Sequence, residues 1–180
     1  MPGEAGVWVI ILGDLLIFSL FFGTYAYYRA LEPALFAASQ AHMVQAFGLV
    51  NTLLLLTSSL AVVLAIEAAR AGRAAPARRH ATIAMLLGAA FVVVKYFEYG
   101  DKIRDGLLAS TNNFYMLYFT FTGVHLLHVC AGLAALSFVR ARVARPLTPG
   151  ATAAIESCAL FWHLIDILWV VLFAIFYLHG

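Results

Sequence analysis

Five apolar runs, each long enough to cross a bilayer, constrain this chain more than anything else in it: Val7–Tyr28, Phe47–Ala69, Ala81–Tyr99, Phe114–Val139 and Ala153–Leu178. A helix needs about 20 mostly apolar residues to cross roughly 30 Å of hydrocarbon. Backbone groups in that layer must pair with one another, so isolated runs of this length predict helices rather than strands. The expected fold class is all-α: a polytopic membrane protein with five transmembrane helices in an antiparallel bundle. Composition points the same way, because 64% hydrophobic residues, 11% charged residues and a mean hydropathy of +0.93 exceed what a water-soluble core of this size can bury. The first run lacks a basic leader and is too long for a signal peptide, so it reads as a retained helix. What remains outside the runs is too short to fold separately, and residues 1–180 read as a single domain. Cys130 and Cys158 both fall inside runs, which predicts membrane-buried thiols and no disulfide framework.

Orientation follows from the basic residues. Arg70, Arg73, Arg78 and Arg79 lie between the second and third runs and Arg140, Arg142 and Arg145 between the fourth and fifth, whereas the other two connections hold only Arg29, Lys102 and Arg104. Seven against three places the first pair of connections in the cytoplasm. An odd number of spans then puts the N-terminus in the cytoplasm and the C-terminus in the periplasm. The net charge of +2 is accordingly a topology signal, and nothing resembles a nucleic-acid module. Short connections predict that consecutive helices pack as antiparallel neighbours. Gly88, Gly123, Gly132, Ala131, Ala134 and Ala135 offer places where backbones can approach closely.

The informative residues are polar groups inside the runs, since a charge at bilayer depth has to be paired, enclosed by protein or held at an interface. Asp14 has only apolar or small neighbours in its own run, so its partner is expected on another helix. Lys95 and Glu98 stand three apart on one helical face and read as an ion pair, which the charged stretch from Asp101 to Asp105 suggests is a marker of the helix end. His125 and His128 share a face of the fourth run, and His163 and Asp166 share one of the fifth. Two readings remain open for these four: metal ligation, or hydrogen bonding across the interface of the last two helices. The second carries more weight, because no Glu plus Glu-x-x-His pattern accompanies them. Glu156, seven residues before His163, extends this stripe, and Trp162 and Trp169 are expected to flank it.

At these residues the chain resembles subunit III of the haem-copper oxidases. Phe161-Trp162-His163-Leu164-Ile165-Asp166-Ile167-Leu168-Trp169 looks like that family's terminal-helix signature, and Thr122-Gly123-Val124-His125-Leu126-Leu127-His128-Val129 like its Gly-x-His-x-x-His-Val motif. Asn51-Thr52 is similar to its Leu-Asn-Thr segment, Glu98-Tyr99 to its Glu-Tyr pair, and Asp14 stands where the family has an acidic residue. The Pro2-Gly3-Glu4-Ala5-Gly6-Val7-Trp8 start, Tyr28-Arg29 with Glu32-Pro33, Lys95 ahead of Glu98, and Gly100-Asp101-Lys102-Ile103 resemble the NorE-like branch, helpers of nitric oxide reductase in denitrifying bacteria. Relative to the seven-helix form, the first two helices are missing, so their lipid-filled cleft is not expected.

The resemblance implies a non-catalytic membrane subunit or accessory protein in respiratory electron transport. Such a chain carries no catalytic, cofactor-binding or metal residues of its own. Haem, copper or iron belong to the partner catalytic subunit, of an oxidase or a nitric oxide reductase, in the bacterial inner membrane. The family's role is to support assembly, stability, turnover and proton delivery, with phospholipid bound. Two other function classes stand beside it: a stand-alone metal or haem enzyme using His125, His128, His163 and Asp166, and a proton carrier using Asp14 and the Lys95–Glu98 pair.

Overall fold

The computed structural model describes residues 5–143, 145 and 148–178. Pro2, Gly3 and Glu4, part of the N-terminal resemblance, lie outside the described residues. Among these, six helices follow one another: α1 (Ala5–Leu31), α2 (Pro33–Ala41), α3 (Gln45–Arg70), α4 (Ala74–Arg104), α5 (Asn113–Arg142) and α6 (Pro149–Tyr177). Five of them, all but α2, are long and apolar enough to span a membrane. Each starts before its expected boundary and all but α6 also end beyond it; α4, with 31 residues, starts seven residues before Ala81 and ends five after Tyr99. At 1.5 Å per residue it is about 46 Å long, which covers the headgroup layers as well as the hydrocarbon.

Local chemistry sets the ends. Asn112 caps α5 by accepting from the Tyr115 amide at 3.0 Å, and Thr148 caps α6 ahead of Pro149. Gly72 and Gly106 follow α3 and α4 with φ of 70° and 75°. In that conformation the next amides turn back onto Ala68 O and Lys102 O, each at 2.9 Å, closing the last carbonyls of the helix. A plain connection is expected after the first span, but Pro33 starts α2 there. Its Gln40 side chain donates to Ile175 O at 3.1 Å and Leu178 O at 2.8 Å, while Tyr25 Oη donates to Ile175 O at 2.6 Å. The short helix exists because it satisfies the carbonyls at the end of α6.

Helices α3, α4, α5 and α6 form a closed ring in which each touches the next and α6 returns to α3. The expectation of sequential neighbours therefore fails for the first pair of spans. Helix α1 lies outside the ring against α5 and α6, presenting Ile11, Phe18 and Tyr25, spaced by seven, as its buried seam. Within the ring the decisive small residues are Gly88 and Gly132, which flank the fully buried Trp162 ring. A Cβ on Gly88 would stand 2.7 Å from the indole, and one on Gly132 2.6 Å from it. Gly123 faces open space, and Ala131 and Ala134 are exposed, so these three do not mediate the contact expected of them. Gly48, by contrast, lies under Phe173 and Tyr177.

Candidate functional site

The polar residues of the spans form one closed cluster and several separate contacts. The cluster lies where α4, α5 and α6 meet. Lys95 is fully buried, and its ammonium uses all three protons: it donates to Glu98 Oε2 at 2.9 Å, Tyr118 Oη at 3.1 Å and Tyr177 Oη at 2.9 Å. Both phenols donate a hydrogen bond to Glu98 Oε1, at 2.8 Å from Tyr118 and 2.5 Å from Tyr177. The carboxylate thus accepts three hydrogen bonds and the ammonium makes three. Around them stand the ring faces of Tyr99, Tyr118, Trp169 and Tyr177, with centroids 4.9–5.6 Å from Lys95 Nζ. Lys102, 5% exposed, adds a second ammonium over Tyr118 at 5.4 Å. The pair is therefore no marker of the helix end. It sits in the bundle, and α4 continues to Arg104 because Asp101, Lys102 and Arg104 belong to its last turns.

The four residues weighed as metal ligands do not converge, and no group of three or more potential ligands occurs among the described residues. His125 is fully buried between Phe91 and Trp169, with ring centroids 5.7 and 5.4 Å away, and neither nitrogen has a hydrogen-bond partner among the described residues. His128 points outward to α1. Its Nδ1 donates to Val124 O at 2.8 Å and its Nε2 meets Asp14 Oδ1 at 3.3 Å.

His163 and Asp166 turn toward α3. His163 Nδ1 lies 2.5 Å from Ser59 Oγ and 3.8 Å from Asp166 Oδ2. The same face carries the Arg70–Glu156 ion pair and the bond from Trp169 Nε1 to Thr52 Oγ1 at 3.0 Å. The polar stripe of the last helix thus meets the second span rather than the fourth. Trp162 occupies the opposite side, in its glycine slot, and Asn51 is fully buried in α3 with no side-chain hydrogen bond among the described residues. Tyr118 and Tyr177, which complete the charged cluster, are not among the residues the sequence singles out. The signal was the seven-residue series Tyr118, His125, Gly132 along one face of α5.

A polytopic helical bundle that encloses the Lys95–Glu98 ion pair among its own helices is the class that fold and site define. Residues 3–180 match the family model for cytochrome c oxidase subunit III. The chain is 32% identical over 179 residues to the cytochrome bo(3) ubiquinol oxidase subunit 3 of Pseudomonas aeruginosa, covering 97% of this chain and 84% of that one. It is similar to the cytochrome c oxidase subunit 3 of Corynebacterium diphtheriae, 29% over 177 residues, and to the quinol oxidase subunit 3 of Bacillus subtilis, 28% over 182, each covering 97% of this chain and 86% of the other. This chain belongs to the cytochrome c oxidase subunit III family.

Proposed function

We propose that the protein is a non-catalytic membrane subunit of a respiratory haem-copper enzyme, supporting the assembly, stability and turnover of a partner that carries the haem and metal. The observation that carries this reading is the direction of its chemistry. Lys95, Glu98, Tyr118, Tyr177 and His125 are enclosed by their own helices. What the spans offer outward is mostly apolar, including Val9, Leu12, Leu16 and Leu20 of α1. Such a surface suits lipid and a helical partner better than a substrate. In this reading the basic end faces the cytoplasm of a bacterial inner membrane, phospholipid covers part of the flank, and residues 1–180 act as one unit.

The test is purification of the tagged chain from native membranes in mild detergent. A haem-copper catalytic subunit travelling with it in fixed ratio supports the reading; recovery of the chain without any such subunit contradicts it. A second reading, a NorE-like helper, rests on Lys95 ahead of Glu98 and on the Gly100-Asp101-Lys102-Ile103 stretch. It predicts that the co-purifying subunit reduces nitric oxide instead of oxygen. Asp14 with His128 is the place where support of proton delivery would be sought, since a histidine nitrogen and a carboxylate meet there at 3.3 Å outside the four-helix ring.

A further inference from the structure

Four residues, one from each helix of the ring, share a layer inside it. Ser58 Oγ donates to Ala84 O at 2.9 Å and fixes the register of α3 against the antiparallel α4. Seven residues from that contact, in the same direction along the bundle, stand Asn51 on α3 and Phe91 on α4, both fully buried. His125 of α5 packs on Phe91 and on Trp169 of α6, with ring centroids 5.7 and 5.4 Å away, and the Trp169 indole donates to Thr52, the chain neighbour of Asn51. Asn51 and His125 are thus the polar members of an otherwise aromatic layer. Among the described residues, Asn51 Oδ1 and Nδ2 and His125 Nδ1 and Nε2 have no hydrogen-bond partner. The polar groups beside them are spent. Trp169 uses its single N–H on Thr52, whose own hydroxyl donates to Gly48 O at 2.8 Å. Lys95, one turn beyond Phe91, has all three protons on Glu98, Tyr118 and Tyr177.

A buried polar group left without a partner is costly, and a buried water that makes about three hydrogen bonds is the common remedy. The Asn51 amide offers two N–H donors and a carbonyl acceptor, and a neutral imidazole offers one donor and one bare nitrogen. We propose that this layer is an internal water site, in which ordered water bridges Asn51 and His125, accepting from the Asn51 amide and donating to the bare ring nitrogen. A metal cation fits the same atoms poorly, because the Lys95 ammonium lies over the Trp169 ring at 5.1 Å and repels it. The water joins α3, which contributes no side chain to the charged cluster, to the polar interior of the other three helices. Since the site is enclosed by the chain's own ring, it does not depend on which catalytic subunit the chain accompanies.

The test uses the full chain, labelled with ¹⁵N-histidine and reconstituted in bilayers, and reads magnetisation transfer from water protons to the histidine ring nitrogens by solid-state NMR. The His125 resonances are assigned by their loss in H125F. Wild-type protein is expected to show direct transfer from water to His125 although that ring is fully buried. N51L, which removes the other anchor of the water, is expected to lower this transfer several-fold while His42, an exposed histidine, keeps its own. N51S retains a polar group at the position and is expected to keep the transfer. Absence of transfer to His125 in the wild type overturns the proposal, and so does equal transfer in N51L and wild type. A direct Asn51–His125 hydrogen bond, seen as a coupling between the two side chains in protein also labelled at asparagine, overturns it as well. If N51L does not fold, wild type and N51S decide: transfer in both supports the site, and transfer in wild type that N51S abolishes contradicts it.

Discussion

Half of the apolar window of α6 is buried against the rest of the protein, but only 11% of that of α1. The two helices are equally suited to a membrane and differ in how they are held. Around α6 every kind of contact is used: the glycine slots take Trp162, Tyr177 joins the Lys95–Glu98 cluster, and His163, Glu156 and Trp169 reach α3. Helix α1 has a narrow seam of Ile11, Phe18 and Tyr25, with polar contacts that include Asp14 to His128 and Tyr25 Oη to Ile175 O. In lipid the apolar surface of a helix gains nothing by leaving its solvent, so close packing and polar contacts decide which helices adhere. The ring of four therefore specifies itself, whereas α1 retains a wide apolar surface for lipid or a partner.

This contrast can be broken most forcefully at the charged cluster. Glu98→Leu removes the carboxylate that pairs with Lys95 and leaves a buried ammonium uncompensated, which costs about 3–5 kcal/mol. In contrast, K95M/E98Q removes both charges and is expected to recover much of that loss, read from unfolding in mixed detergent micelles. If the double variant is as unstable as the single one, the pair is not the unit of stability. Overpacking comes next. A methyl added by Gly132→Ala meets the Trp162 indole and Ile165, and is expected to cost about 1–3 kcal/mol on the same titration.

On α1 the effects should shrink. Asp14→Asn weakens a single polar contact, for which membrane bundles give an average of about 0.6 kcal/mol and at most roughly 1.7. Its signature is faster proteolysis or cross-linking of α1 with the ring intact. Asp166→Ala is expected to cost a similar amount but to loosen α6 from α3, detectable with a cysteine pair placed across that interface. Gly123→Ala is expected to change stability by less than about 0.5 kcal/mol, because a Cβ there meets nothing within 4 Å. A large loss at Gly123 would mean that α5 is packed more closely there than the open space allows.

How much of this the sequence shows depends on the kind of feature. The five spans are legible because length and apolarity are forced by the bilayer. That Lys95 and Glu98 pair is legible from their spacing, but their depth is not. The charges from Asp101 onward resemble a helix end, and only the tertiary contacts with Tyr118 and Tyr177 make room for a buried pair there. The stripe of Glu156, His163 and Asp166 is legible as a face, yet spacing along one helix does not say which neighbour the face meets, and α3 rather than α5 receives it. Small residues mislead in the same way: Gly88, Gly123 and Gly132 look alike in sequence, and only the positions of Trp162 and Leu133 separate the slots from the open site. Helix α2 escapes because nine residues after a proline carry little periodic signal, while its purpose, bonding the end of α6, lies over a hundred residues away.

The central claim is that the buried ionisable groups hold helices together and do not carry out chemistry. Turnover per assembled complex, measured for K95M/E98Q after removal of unassembled protein, tests it directly. The account predicts wild-type turnover per intact complex, with a smaller yield or lower thermal stability of that complex. Full assembly and unchanged stability together with abolished turnover would contradict it.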